Sequence, residues 1–176
     1  MTEKNLIDPL CFLPSDMPIV ILCSDLRALI PSIIKLRTGN FNHVMLMVEP
    51  GRVITQNWTL QDLTIQKYMK PGILLQFWGV KGVTYEGMKA LYTKAKADVK
   101  KPWWRRRYDP LGIVGQALGL PWIQSPWGWY CSERVSEHLS IVKIGLPKHP
   151  NPSDFSEIFS RRSKDFALLG WYIGGG

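Results

Sequence analysis

The sequence predicts an α+β fold, an antiparallel sheet or partial barrel packed against helices. Three observations carry that expectation. Short β-branched apolar runs separated by turn residues mark strands in the first half of the chain. Two of those runs flank Pro50-Gly51 closely enough to pair as a hairpin, which makes that part of the sheet antiparallel. Later segments, after Tyr85 and after Cys131, carry apolar residues at helical spacing instead.

The elements follow in order. PIVILCS, from Pro18, reads as a buried strand. Leu26, Leu29, Ile30, Ile33 and Ile34 predict a helix after it, closed by Lys35, Arg37 and Gly39-Asn40, with Pro31 at its start or at a bend. NHVMLMVEPGRVITQNW is the hairpin, and His43 begins its first strand. ILLQFW, 73–78, is a further strand, and Met88, Leu91, Tyr92, Ala95 and Val99 mark one face of a helix from Tyr85 to Val99. LGIVGQAL reads as a short helix within a loop rich in Trp, Pro, Gly and Arg. Val135, His138, Leu139 and Val142 define the buried side of a helix that starts at Cys131. PKHPNPSD breaks the chain before a last short helix, an edge strand and a glycine tail.

At 176 residues the chain suits one domain with a core of its own. With 45% hydrophobic and 20% charged residues it is globular in composition, and it has no run of roughly 20 apolar residues to span a bilayer. MTEKNLIDPLCF does not read as a secretory signal, so residence in a cytoplasm is the expectation. Three cysteines, at 11, 23 and 131, are too few for a disulfide framework, and none of the three histidines makes a zinc-like pair with them. No metal or cofactor is therefore expected. The net charge of +8 favours an anionic partner: nucleic acid, a membrane surface or a wall polymer.

Cys131 sits where chemistry is expected. Unpaired N–H groups and the positive dipole end of a helix start favour a thiolate, and the same N–H groups suit an oxyanion. A base is then needed. His138 lies two turns further along the same helix, roughly 10 Å away by the rise per residue, too far for a direct bond. His149 lies in the loop KHPNP. His43, on a strand of a hairpin, is the best placed of the three.

A strand histidine before a helix-start cysteine resembles the circularly permuted papain-like hydrolases, the family of NlpC-type cell-wall peptidases and lecithin retinol acyltransferase. IVILCSDLRALIPSIIKLRTGNFNHVMLMV is similar to that family's opening strand, helix and histidine strand, and VITQNW to its second hairpin strand. YDPLGIVGQALGL resembles its "YD" segment, YCSERVSEHL its "YCSELV" helix, and NPSDFSEIF its proline-aspartate ending. The likeness runs over residues 18–159. It implies a papain-like domain at 18–160, preceded by an N-terminal extension (1–17) and followed by a C-terminal segment (161–176) ending in a flexible glycine tail.

The resemblance further implies that Cys131 is a nucleophile forming a thioester and that His43 is its base. Its substrates would be peptides or acyl lipids, the reaction that of a thiol peptidase, amidase or acyltransferase, with peptidoglycan among the targets. A phage-encoded protein released by lysis, or carried in a particle, would bring such a chain to the wall without a signal. The family's third residue, which orients the histidine, is usually histidine or glutamate; this chain has neither there. A two-residue turn at Pro50-Gly51 puts Gln56 on the face of His43, whereas a three-residue loop or family spacing puts Thr55 there. Tyr130, Tyr108 and Asp109 are the candidate substrate-binding residues.

A second class of function rests on KKPWWRRRY. It interleaves Lys100, Lys101, Arg105, Arg106 and Arg107 with Trp103, Trp104 and Tyr108. That mixture suits a non-catalytic binding or structural protein that holds nucleic acid, a membrane or a protein partner.

Overall fold

The computed structural model describes residues 6–25, 41–107, 109, 130–147 and 150–174. The helices expected at 26–37 and in LGIVGQAL lie outside the described residues. The described strands are β1 (Ile19–Asp25), β2 (His43–Glu49), β3 (Arg52–Gln56), β4 (Leu60–Thr64), β5 (Ile73–Val80) and β6 (Phe166–Ile173). The described α-helices are α1 (Tyr85–Lys100), α2 (Cys131–Ser140) and α3 (Pro152–Arg161). The strands form one sheet in the order β4-β3-β2-β1-β5-β6, every neighbouring pair antiparallel. The chain is therefore α+β, as its sequence predicts.

Both faces of the sheet centre are buried, which explains why β1 is an unbroken apolar run rather than an alternating one. On one face Val20, Leu22, Val44, Leu46 and Ile54 meet residues of all three helices: Leu91 and Ala95, Val135 and Leu139, and Phe155 and Phe159. On the other, Ile19, Ile21, Met45, Met47, Val53 and Phe77 form a second core. Ile7 and Phe12 of the N-terminal segment and Tyr68, from the turn after β4, pack against it. Residues assigned by sequence to terminal segments thus take part in the fold: β6 pairs along β5, and Ile7 N–H donates to Trp171 O at 2.9 Å. Gly174, first of the tail glycines, is buried, and its N–H bonds Ile73 O. A Cβ there would overlap the Lys70 carbonyl, so this position is held rather than loose.

β4 has no counterpart in the sequence-based reading. LQDLT at the sheet edge buries Leu60 fully, while Asp62 faces Arg52 at 2.9 Å and Lys96 at 2.6 Å. Its pairing to β3 is held by backbone bonds and ion pairs, so no apolar alternation marks it.

The hairpin decides the geometry of the site. Its turn closes on Glu49↔Arg52, the pairing of a two-residue loop at Pro50-Gly51, with Gly51 at φ 72°. Between Glu49 and Met47 the register then slips by one, so that Met47 pairs with Val53 and Met45 with Thr55. Val48 is the extra residue of a β-bulge.

Candidate active site

His43 begins β2, and its register partner on β1 is Cys23. Beyond the bulge, Thr55 shares the face of His43, and His43 Nε2 lies 2.7 Å from Thr55 Oγ1. Gln56 does not share that face. Its side chain is buried and its Nε2 donates to Arg106 O at 2.7 Å. Of the two residues that sequence reasoning left open, Gln56 is excluded as the partner of His43 by the one-residue shift at Val48.

Thr55 continues to Tyr68, whose hydroxyl lies 3.3 Å from Thr55 Oγ1. Tyr68 in turn meets the Asn57 amide, with Nδ2 at 3.1 Å and Oδ1 at 3.3 Å. The Tyr68 ring also stacks on the His43 imidazole, centroids 6.2 Å apart and planes 17° from parallel. The imidazole is thus fixed at one nitrogen and over one face. Sequence reasoning missed Tyr68 and Asn57, because the contact depends on where the turn after β4 folds back, which no local pattern records.

Electrostatics follow from this packing. Desolvation pushes the His43 pKa down from 6.5 to about 4, against the opposing pull of the Asp25 carboxylate. Asp25 ends β1 at the same end of the sheet, and the Asn42 amide brackets its backbone by accepting from N–H at 3.2 Å and donating to C=O at 2.6 Å. Burial raises the Tyr68 pKa, and the thiols of Cys23 and Cys131 add to the rise. Cys131 is thus within electrostatic range of Tyr68, although its own packing is with the helix-side core.

Cys131 is buried and is the first residue of α2. Tyr130 is the N-cap residue, and Glu133 reaches back to accept from Tyr130 N–H at 3.2 Å, closing the first turn. Tyr130 is itself buried, and its hydroxyl pKa is raised by burial first, then by Asp109 and Glu133. Asp109 is buried close by. Tyr108 and His149 lie outside the described residues.

His138 belongs elsewhere. It is fully buried, and its Nε2 lies 3.1 Å from Asp98 Oδ2 on α1. Asp98 also meets Lys94, and Lys101 Nζ lies 2.5 Å from its Oδ1; Arg134 Nη1 is 3.9 Å from Oδ2. The bond to His138 and the lysines hold the Asp98 carboxyl well below the usual carboxylate range despite its burial. This network ties α1 to α2 and so fixes the helix that carries Cys131.

Among the described residues no group of three His, Cys, Asp or Glu side chains is placed to hold a metal ion. Nor is any described helix long and apolar enough to cross a membrane. The chain matches no protein-family model, and no curated protein is significantly similar to it.

Proposed function

We propose that this chain is a cysteine hydrolase or acyltransferase with a circularly permuted papain-like domain of the NlpC type. One observation carries the reading. A strand histidine is oriented through Nε2 by Thr55, and Tyr68, which bonds Thr55, is within electrostatic range of a cysteine that opens a helix. With Nε2 donating to Thr55, the hydroxyl of Thr55 to Tyr68 and that of Tyr68 to Asn57, the hydrogen bonds are satisfied in one direction. Nδ1 is then the basic nitrogen of a neutral imidazole.

In this mechanism the Cys131 sulfur attacks the carbonyl carbon of an amide or ester as His43 Nδ1 takes the thiol proton. Backbone N–H groups at the start of α2 receive the negative charge on the carbonyl oxygen. The tetrahedral adduct collapses to a thioester, and His43 returns the proton to the departing amine or alcohol. Water or another acceptor then attacks the thioester, His43 accepts its proton, and the thiol is re-formed as the acyl group leaves. A pKa of about 4 makes His43 neutral at physiological pH, so it rests as the imidazole rather than as the imidazolium of an ion pair.

That weak basicity, with an uncharged Thr55 behind the ring, favours a second reading: a protein that keeps the fold and binds without turnover. A thiol-directed activity probe separates the two. Labelling concentrated at Cys131 and lost in His43→Ala supports the enzyme; equal, slow labelling of Cys11, Cys23 and Cys131 sinks it. Peptidoglycan peptides, acyl lipids and small esters, tried in turn, would then identify the acyl group.

A further inference from the structure

Three large indoles are left in water. Trp58 is 69% exposed, Trp103 60% and Trp104 55%. They occupy one region of the chain fold, because the loop after α1 returns to the start of β4. Thr59 pairs with Arg107, Leu60 N–H donates to Arg106 O at 2.8 Å, and Arg106 Nη1 donates to Leu60 O at 3.0 Å. Trp58 directly precedes this junction, and the turn Trp103–Arg105 leads into it. Arg106 is taken up by the junction. Lys100, Arg105 and Arg107 have no carboxylate partner among the described residues.

We propose that Trp58, Trp103 and Trp104, with Lys100, Arg105 and Arg107, form a docking surface for an anionic lipid bilayer. Indoles are stable at the headgroup level, where the ring is partly desolvated and the N–H stays solvated. Unpaired cations beside them meet the negative charge of the lipids. The alternative anion, a single-stranded nucleic acid, asks for ring faces on which successive bases can stack. Trp103 and Trp104 are set edge to face, centroids 6.2 Å apart and planes at 85°, so the two faces cannot serve consecutive bases in one stack. A bond from Gln56 Nε2 to Arg106 O joins the surface to the candidate site. Gln56 follows Thr55 on β3, so one of the two residues offered by the sequence to orient His43 instead anchors the docking loop beside it.

Vesicle flotation tests this, with phosphatidylcholine vesicles made with and without phosphatidylserine. Cys131→Ala protein is used, so binding is read without turnover and independently of the hydrolase reading. Binding should require phosphatidylserine, and lipids brominated near the headgroup should quench tryptophan emission. Trp103→Ala/Trp104→Ala should weaken binding by about tenfold or more, with the far-ultraviolet circular dichroism unchanged because both side chains are exposed. Lys100→Ala/Arg105→Ala should weaken it by roughly 25-fold, about fivefold per cation. Absence of binding to phosphatidylserine vesicles would overturn the proposal, as would binding that the tryptophan pair does not affect. Salt-sensitive binding to an oligonucleotide with none to vesicles would assign the surface to nucleic acid instead.

Discussion

Protonation of His43 is the perturbation whose size follows most directly from the structure. The native imidazole stays neutral down to about pH 4, whereas an unfolded one takes up its proton near 6.5. Between those values the unfolded state binds more protons, so the stability that His43 confers is complete above 6.5 and is lost as the pH falls towards 4. Each pKa unit is worth about 1.4 kcal/mol, which sets a limit of about 3.4 kcal/mol for the full separation. At about pH 4.5 most of it, about 2.5 kcal/mol, is already gone. The assay is urea unfolding of wild type and His43→Gln at about pH 7 and about pH 4.5. Glutamine cannot titrate, and it keeps an amide able to reach Thr55. Burial of His138 also lowers its pKa, but that contribution is common to both proteins and cancels. The loss between the two pH values should be smaller in His43→Gln by about 2.5 kcal/mol. Equal losses would show that the native imidazole is not desolvated as its packing requires, and the account of a neutral resting base would fall with it.

Thr55→Val keeps the shape but removes the oxygen between His43 and Tyr68. It should cost about 1–3 kcal/mol in urea unfolding, because two buried polar groups lose a partner. It should also slow probe labelling of Cys131 by roughly tenfold or more, since a general base is worth at least that when aimed; unchanged labelling would remove Thr55 from the site. Asp98→Asn breaks the network joining α1 to α2. Lys94 and Lys101 are partly exposed and can turn to water, so the cost belongs at the lower end for a broken buried pair, about 3 kcal/mol. A change below about 1 kcal/mol on urea unfolding would mean the network does not hold α2.

What the sequence disclosed depended on how local the cause was. β1, the hairpin, β5 and all three described helices arise from periodicity and punctuation, and their bounds match the expected ones closely: the helix expected at Tyr85–Val99 runs to Lys100. β4 was hidden because its edge position asks little of its side chains. Within the site, Cys131 at a helix start and His43 at a strand start could both be read from short segments. Tyr68 could not, because its ring reaches His43 only after the chain has made a strand, a turn and a return. Thr55 and Gln56 stayed level for another reason: residues adjacent in a strand face opposite ways, and turn composition alone does not count the residues that pair beyond it.

The bulge at Val48 has a consequence for how such a site could change. β3 buries Val53 in one core and Ile54 in the other, so its apolar residues would be satisfied in either register. Hydrophobicity therefore does not choose which polar neighbour meets the imidazole; a count of backbone units does. Pairing the same residues without the bulge would offer His43 the Gln56 amide in place of the Thr55 hydroxyl, without altering any side chain of β3. In this hairpin, pairing register acts as a chemical variable, and opening or closing a bulge several residues from the histidine amounts to a substitution at its side.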